Sequence, residues 1–600
     1  MNLTKLKKSV FQYFFIISFS FNMYSQKASL TTTNKIIPIS SSNFTAGTNM
    51  EAKGDSINKL QFVIDLTKSI PFSQSAIKQN TEVASLGPNT DIPYFTVRFA
   101  LPMPPAYNEV EVGALVGIDS MVFHHNHSPG FEILPNGDAL AIYFTTPMGK
   151  SENDITTAFA QARLRYGSED WDMPELFFKT KDTNDQSGLL WNDNGKLWFF
   201  GGGREISDFV PFRMATSTDN GASWIYSVPQ INEPATRYTA QPITNAFRGP
   251  DQSIYFSMDG VDAESFLWRS TDNGIHWQDM GGRTGGRHST ILPLDDLGNL
   301  LSIGGKNSDV DGWSPTNVST DWGATWSESK PSPFPPLGTA QRPSMIRLAS
   351  GNLLLVSDSY MHKKKIAPPK GWNYGNNCFV AISKDNGANW HIKTIPVQIP
   401  QHHRTDHPSL GYVTARQAPN GVIHLLTTVS LPGLHYEFNE AWVWSDDGDI
   451  SPETTGGTIK KFSETYPNGQ VRSTWSARIC THGRYLLHGT QIDYYENGTI
   501  QHKAIYENGR KSDEESFWTP DRKLVWKWQR DLKTNQGIWT HYWSNGKKKI
   551  ESRWNLKPEA RDLKRHFYGY VAHGPSHHWS EKGKLIETYQ FVNGLILGKD

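Results

Sequence analysis

The chain has 600 residues, and its 59 Lys and Arg residues balance 59 Asp and Glu residues, so the formal net charge is zero. This length predicts two or more domains, and the neutral balance argues against nucleic acid or an anionic membrane as the main partner. The 21 Trp, 50 Gly and 35 Pro residues are typical of an all-β protein with short strands and tight turns.

The N-terminus has a basic segment followed by an apolar run. Lys5, Lys7 and Lys8 precede the apolar residues 10–21. This pattern predicts a secretory signal peptide over residues 1–25, and therefore a secreted or periplasmic protein. An uncleaved membrane anchor is the alternative, but the apolar run is short for a membrane span. Residues 26–91 are rich in Ser, Thr, Asn and Lys, and we expect a leader or an edge strand that closes the next domain.

The sequence predicts neither a disulfide nor a metal site. Its two cysteines, Cys378 and Cys480, fall in different predicted domains, so we expect both to be free and buried. The His-rich tract at residues 401–406 has no regular metal-ligand spacing, and a solvated loop is the favoured interpretation. No cofactor is expected.

An eight-residue motif, Ser-x-Asp-x-Gly-x-x-Trp, recurs four times. The copies begin at Ser217, Ser270, Ser319 and Ser383, which are 49 to 64 residues apart. A motif repeated at this period indicates a repeat architecture. Its Asp is expected to accept a hydrogen bond from the backbone N–H two residues on. Its Gly supplies a positive φ, and its Trp fills the gap beneath the turn.

A second pattern, a polar start followed by an apolar hairpin, recurs six times. Asn-Gly and related pairs between apolar runs are typical of hairpins. The copies begin near His127, Ser187, Gln241, Arg287, Arg342 and His407. Six copies and a closing strand predict six or seven four-stranded blades of a β-propeller over residues 92–457.

From residue 462 onward, short aromatic repeats predict a different domain. Asn-Gly turns follow closely after Tyr466, Tyr495, Tyr506, Trp543 and Phe591. Residues 462–600 are therefore predicted to form a β-hairpin repeat domain, in which each hairpin is stacked on its neighbours. Trp518, Trp526 and Trp528 could bind sugar, but packing in a core is the favoured role.

The Ser-x-Asp-x-Gly-x-x-Trp motif is the Asp-box, and the chain resembles the sialidase-like β-propellers that carry it. The C-terminal hairpins resemble the MORN-like repeats of secreted bacterial proteins. These resemblances imply an all-β fold, with a six- or seven-bladed propeller followed by a hairpin repeat domain. The Asp-box lies at blade corners, usually away from the active face, so it identifies a fold and not a reaction.

Polar residues at the starts of the inner strands are the first site candidates, because these starts converge on the axis at one face of a propeller. Sialidases carry an Arg at the first start, where this chain has His127 after His124 and His125. Arg287 and Arg342 could fill two places of the sialidase arginine triad, but the set is incomplete. The His favours a resemblance to the sialidase-like propellers that act on uronate-containing polysaccharides, such as propeller ulvan lyases and a propeller rhamnosidase.

β-Elimination from a uronic acid needs a base for the C5 proton, an acid for the leaving oxygen and a cation for the carboxylate. We expect His127 to be the base, His407 or His288 a second catalytic imidazole, and Tyr412 the acid. The expected substrate-binding residues are Arg287, Arg342, His125, Gln241, Arg416, His435 and Glu437. The two Arg residues named first are expected to clamp the carboxylate. A buried ion pair of Arg416 with Glu437 or Glu440 is the alternative.

The sequence thus predicts a secreted carbohydrate-active enzyme that eliminates at a uronic acid of an acidic poly- or oligosaccharide, as a lyase or dehydratase. A sialidase-like or rhamnosidase-like glycoside hydrolase and a non-catalytic sugar-binding propeller are the alternatives. The expected partner is the acidic saccharide, and the C-terminal repeats offer a further protein contact. Only elimination yields an unsaturated uronate that absorbs ultraviolet light.

Overall fold

The computed structural model of the chain is almost entirely β-structure. It describes residues 37–40, 81–102, 112–118, 122, 124–147, 149–180, 183–204, 209–233, 238–361, 364–396, 409–428, 433–446, 453–557, 566–567 and 569–599. The predicted signal peptide lies outside this part of the chain. The described helices are α1 (Thr81–Ala84), α2 (Val112–Val116) and α3 (Glu440–Trp444). None of these three helices is long and apolar enough to cross a membrane.

Three blades follow one another in the first half of the chain, and their strands pair antiparallel from the axis outward, except for one parallel pair at the outer edge of the third blade. Two strands precede them, β1 (Ile37–Ser40) and β2 (Phe95–Leu101). Blade 1 consists of β3 (His127–Ile133), β4 (Ala139–Thr145), β5 (Ala158–Leu164) and β6 (Glu175–Phe178). Blade 2 consists of β7 (Asp185–Asp193), β8 (Lys196–Gly203), β9 (Arg213–Ser217) and β10 (Ser223–Ser227). Blade 3 consists of β11 (Gln230–Ile231), β12 (Tyr238–Arg248), β13 (Ile254–Gly260), β14 (Glu264–Ser270), β15 (His276–Asp279) and β16 (Thr284–Gly285). β1 extends the second blade by pairing with β10.

Three further blades complete the ring. Blade 4 consists of β17 (Thr290–Pro293), β18 (Leu300–Ile303), β19 (Pro315–Ser319) and β20 (Lys330–Pro331). Blade 5 consists of β21 (Ser344–Arg347), β22 (Leu353–Asp358), β23 (Cys378–Ser383) and β24 (His391–Thr394). Blade 6 contains β25 (Thr414–Gln417), β26 (Ile423–Leu426) and β27 (Gly433–Phe438). β2 is the outermost strand of the sixth blade and pairs with β27. The inner strands β3, β7, β12, β17, β21 and β25 contact one another in this order, and β25 contacts β3. The predicted propeller is confirmed, with six blades.

The Asp-box turns join the third and fourth strands of blades 2 to 5. In the first copy, Asp219 Oδ1 accepts a hydrogen bond from the Ser223 N–H at 2.9 Å, and Ser217 Oγ accepts one from the Gly221 N–H at 2.9 Å. The same two bonds recur in the other three copies. The Asp therefore binds the N–H four residues on, and not two as predicted. Because strand directions alternate, these turns lie at the face opposite the starts of the inner strands.

Neighbouring blades share apolar cores, and the core between blades 6 and 1 is unusual. Between blades 2 and 3, for example, the rings of Phe200 and Phe256 stack with centroids 4.3 Å apart. Between blades 6 and 1, the residues of both blades instead pack with aromatic side chains from the C-terminal domain. The core that closes the ring thus includes residues from outside the propeller.

The C-terminal domain is one continuous antiparallel sheet of hairpins. Its strands are β28 (Thr458–Thr465), β29 (Val471–Ile479), β30 (Tyr485–Leu487), β31 (Gly489–Tyr494), β32 (Ile500–Glu507), β33 (Arg510–Trp518), β34 (Leu524–Asp531), β35 (Gln536–Tyr542), β36 (Lys548–Asn555), β37 (His566–Phe567), β38 (Tyr570–Trp579), β39 (Leu585–Val592) and β40 (Leu595–Lys599). Trp526 and Trp528 are buried in the core shared with blade 1, as the favoured interpretation predicted, whereas Trp518 is half-buried. Cys378 and Cys480 are free and buried, as predicted.

We expect Trp528→Ala to destabilise the protein by about 3–5 kcal/mol, because it opens a large cavity between blade 1 and the C-terminal sheet. The Trp528 ring is buried, and its Nε1 lies 3.2 Å from Met173 Sδ of the propeller. Thermal unfolding followed by circular dichroism measures the effect. Ile586→Ala is the matched control, because Ile586 lies in the same sheet with 60% of its surface exposed. Equal melting temperatures for the two variants would contradict the prediction.

Candidate active site at the propeller axis

The starts of the inner strands depart from regular β-geometry. Ser128, Ser187 and His288 have φ angles of 44°, 57° and 62°, in the left-handed region that L-residues rarely adopt. Register shifts follow His127 in β3 and Gln186 in β7. Bulges of this kind re-aim side chains, and strained non-glycine residues concentrate at functional sites. The irregular backbone therefore lies where the sequence predicts the functional residues.

In blade 1, two imidazoles and a carboxylate meet in one cluster. His127 Nδ1 lies 2.9 Å from Glu152 Oε2, and His125 Nε2 lies 3.0 Å from His127 Nδ1 and 3.7 Å from the same carboxylate oxygen. The hydrogen bond with His127 lowers the pKa of Glu152 to about 2, so the carboxylate is ionised at neutral pH. The side chains of His125 and Glu152 are 24% and 40% exposed, so this cluster is open to solvent.

Tyr412 of blade 6 connects this cluster to the other side of the axis. Its ring lies 4.6 Å from the His127 ring and 5.3 Å from the His288 ring, measured between centroids. Its hydroxyl accepts a hydrogen bond from Lys306 Nζ at 2.9 Å. Burial, with the Glu152 carboxylate, raises the pKa of Tyr412 above its usual value. The phenol therefore stays protonated at neutral pH.

A buried carboxylate, Asp259, holds the residues that begin blade 4. It accepts a hydrogen bond from Arg287 Nε at 2.8 Å, and its Oδ2 lies 2.6 Å from His288 Nδ1. Gln241 Oε1 accepts a second bond from the guanidinium, from Arg287 Nη2 at 2.6 Å. Burial lowers the pKa of His288 to about 3, so the imidazole is neutral at physiological pH. Arg287 keeps 29% of its side chain exposed and can face a ligand.

Arg342 and Arg416 lie beneath this cluster and not within reach of solvent. Arg342 is 1% exposed and donates hydrogen bonds to Ser128 Oγ, to Thr414 Oγ1 and to the carbonyl oxygens of Pro129 and Val413. Arg416 Nε donates to Glu132 Oε2 at 2.9 Å, so its ion-pair partner is neither Glu437 nor Glu440. Both guanidinium groups bind parts of the protein itself, where the sequence suggested substrate contacts.

His435 and Glu437 lie in another part of the fold, on the third strand of blade 6. Arg98 of β2 forms an ion pair with Glu437 and donates a hydrogen bond towards His435 Nδ1 at 3.2 Å. Glu169 of blade 1 and Arg484 of the C-terminal sheet continue this network. These contacts join the propeller to the C-terminal sheet and are not part of the site at the propeller axis.

The side chains that contact one another at the propeller axis, which we call the axis cluster, therefore include six of the predicted site residues. They are His125, His127, Gln241, Arg287, His288 and Tyr412. His407 lies outside the described residues. Sequence reasoning missed three members, Glu152, Lys306 and Asp259. Asp259 carries a detectable signal, since it is the one charged residue of a buried strand. Glu152 and Lys306 lie in connecting segments with no distinguishing pattern.

Residues 137–425, which run from blade 1 to blade 6, match the family model of the BNR repeat-like domain. We call this part of the chain the BNR repeat-like domain, after the family model that it matches. Residues 487–508 match the MORN repeat variant. The two matches confirm the resemblances to Asp-box propellers and to MORN-like repeats that the sequence motifs indicated.

Solved structures similar to the chain include several sialidases, at low similarity. A Hadza microbial sialidase is 13% identical over 53% of this chain and 66% of its own length, just under two thirds, with a TM-score of 0.41. A variant of NanB sialidase from Streptococcus pneumoniae is 12% identical over 57% of this chain and 70% of its own, with a TM-score of 0.41. Trypanosoma rangeli sialidase in complex with sialic acid is 12% identical over 84% and 89%, with a TM-score of 0.39. Likenesses this weak carry no conclusion about function, and no curated protein matches the sequence.

We expect Asp259→Asn to destabilise the BNR repeat-like domain at neutral pH by about 3–5 kcal/mol, because it breaks a buried ion pair. Burial alone would raise the pKa of Asp259, but its contacts with His288 and Arg287 outweigh this and lower it. The stabilisation is therefore complete above the unfolded-state carboxyl pKa of about 3.9, and is lost as the pH falls through the lower folded-state value.

Melting temperatures of the wild type and of Asp259→Asn between neutral and acidic pH check this expectation. The difference between them should narrow below about pH 4. Asp296→Asn, at an exposed position in blade 4, serves as the control. A difference that stays constant at every pH would show that the ionised carboxylate is not what stabilises this site.

Proposed function

We propose that the BNR repeat-like domain belongs to a secreted carbohydrate-active enzyme whose active site is the axis cluster. One observation carries the proposal. One contact network joins groups from three blades. It contains the Tyr412 phenol of blade 6, the imidazoles of His127 in blade 1 and His288 in blade 4, and the partly exposed guanidinium of Arg287 in blade 4. These groups come from distant parts of the chain, and proton-transfer groups beside an exposed cation are what acid–base catalysis on an anion requires. The Asp-box propellers that the chain resembles act on carbohydrates.

The charges of the cluster favour an acidic sugar. Within the cluster, Arg287 and Lys306 are positive, Asp259 and Glu152 are negative and His288 is neutral, and the buried Arg342 beneath the cluster adds a third positive charge. The described groups therefore carry a net positive charge. Arg287 is the cation best placed to bind a carboxylate, because its planar guanidinium matches that anion and is not fully buried.

We infer that the reaction is β-elimination at a uronic acid. Tyr412 donates its proton to the leaving oxygen as the C4–O bond breaks. An imidazole accepts the C5 proton, and the electrons of the C5–H bond form the C4–C5 double bond. Arg287 neutralises the carboxylate and so makes the C5 proton more acidic. Proton exchange with solvent then restores both groups.

Two imidazoles beside Tyr412 qualify as the proton acceptor, His127 and His288. Each has its Nδ1 within hydrogen-bond distance of a carboxylate, that of Glu152 at 2.9 Å and that of Asp259 at 2.6 Å. For His127, a carboxylate that accepts the Nδ1–H fixes the neutral tautomer in which Nε2 is the basic nitrogen. His127 is the better base of the two, because burial makes His288 hard to protonate.

Hydrolysis by a sialidase-like enzyme is the second candidate. It needs a Tyr nucleophile with a carboxylate partner, and Tyr412 lies within electrostatic range of Glu152. The arrangement of the cations opposes it. His127 occupies the place of the first arginine of the sialidase triad, and Arg342 is buried with its hydrogen bonds made to the protein. Elimination requires only one exposed cation, and Arg287 supplies it.

Turnover of uronate-containing oligosaccharides, followed by ultraviolet absorbance and by reducing ends, tests this function. We expect new absorbance with the wild type, and a loss of about 10²–10⁴-fold in kcat for Tyr412→Phe, which removes the acid and keeps the ring. Tyr374→Phe is the control, because Tyr374 is 37% exposed in blade 5. Reducing ends without absorbance would identify a hydrolase. Binding without either signal would identify a sugar-binding propeller.

A further inference from the structure

We propose that His125, His127 and Glu152 form a binding site for a divalent transition-metal ion of the zinc class. The three side chains offer two imidazole nitrogens and one carboxylate oxygen. These ligand atoms lie close enough to one another to hold a single metal ion. Imidazole and carboxylate are ligands that Zn²⁺ accepts, and two His with one Glu is a known catalytic set for this ion.

The distances between the three ligand atoms agree with tetrahedral coordination. They are 2.9 Å between His127 Nδ1 and Glu152 Oε2, 3.0 Å between the two nitrogens, and 3.7 Å between His125 Nε2 and the carboxylate oxygen. An ion about 2.0–2.1 Å from each atom would lie roughly 0.8 Å outside their plane, as at the apex over three corners of a tetrahedron. Three protein ligands leave a position for an oxygen of water or substrate.

The backbone that carries the two imidazoles is held in place. Asn126, between them, donates a hydrogen bond to the carbonyl oxygen of Pro102, and its Oδ1 accepts one from Thr428 at 3.0 Å. Arg342 donates to Ser128 Oγ at 3.1 Å on the other side of His127. The rings also pack on Phe144, at 5.2 Å for His125 and 4.7 Å for His127. Rigid support of this kind is what a preorganised metal site needs.

A second described cluster, formed by His424, His435 and Glu437, does not qualify. Its ligand atoms are equally close, but Arg98 Nη1 lies 3.2 Å from His435 Nδ1 and forms an ion pair with Glu437. A guanidinium that is paired with the cluster carboxylate and faces the other nitrogen of His435 repels a metal ion here. The comparison shows why composition and spacing alone do not define a site, and it provides an internal control.

The ion would place a Lewis acid beside Tyr412, whose ring lies 4.6 Å from that of His127. This consequence rests on the proposed function. The ion would polarise the sugar carboxylate together with Arg287 and so make the C5 proton more acidic. With His127 held as a ligand, His288 would be the imidazole left to accept that proton, although it is the weaker base of the two. Lys306 acts electrostatically on Glu152, and its positive charge opposes a second cation. We therefore expect weaker binding than at closed four-ligand sites.

Zinc binding by the full-length protein, freed of metal with a chelator, tests the site without any substrate. Isothermal titration with Zn²⁺ should show one equivalent bound. Glu152→Gln and His125→Ala should each weaken binding by at least about tenfold. His125→Ala is the safer variant for folding, because the His125 side chain is 24% exposed. Melting curves verify that each variant is folded.

The matched control is the double variant His482→Ala, Glu453→Gln. It removes a surface His–Glu pair, with Nδ1 and Oε2 3.3 Å apart, to which the described residues add no third ligand. Its zinc binding should equal that of the wild type. The proposal is overturned if the protein binds no zinc, if Glu152→Gln and His125→Ala bind it like the wild type, or if only His424→Ala abolishes binding. Zinc binding without turnover of any uronate would instead count against the proposed function alone.

Discussion

Two buried guanidinium groups at the propeller axis are the interaction on which the rest of the structure depends. Arg416 of blade 6 binds Glu132 of blade 1 and the carbonyl oxygens of Leu190 and Thr244 in blades 2 and 3. Arg342 of blade 5 likewise reaches blades 1 and 6. Buried charges are tolerated only when their donors are satisfied, so each arginine requires the inner strands in fixed positions. The inner strands are thus linked by hydrogen bonds across the axis as well as by contacts between neighbouring blades.

This constraint also determines the chemistry above it. Because Arg342 holds Ser128 and Thr414, the first residues of blades 1 and 6 are positioned by the same group. His127 and Tyr412 therefore approach each other on a support that cannot easily relax. A second buried charge, Asp259, performs the same task for His288 and Arg287. Enzymes position reacting groups in this way, with side chains whose own contacts are satisfied.

The C-terminal sheet contributes to closure of the ring and is more than an appendage. Its tryptophans share a core with blades 1 and 6, at the junction where β25 meets β3. The polar network of Arg98, Glu169, Glu437 and Arg484 joins the same three parts of the molecule. A six-bladed ring must close between its first and last blades, and here the hairpin repeats supply part of the apolar surface that closure buries.

The sequence by itself determined the repeat architecture, because Asp-boxes and hairpin turns are local signals whose meaning depends on a few adjacent residues. It also placed His127, Gln241 and Arg287 at strand starts, which the topology brings together. The tertiary structure alone decided which polar residues face a ligand. Arg342 and Arg287 have the same sequence context, yet the first is buried by partners more than 70 residues away and the second is not. Glu152 and Lys306 enter the site from connecting segments. The sequence did not indicate them, because no local pattern encodes contacts between residues so distant in the chain.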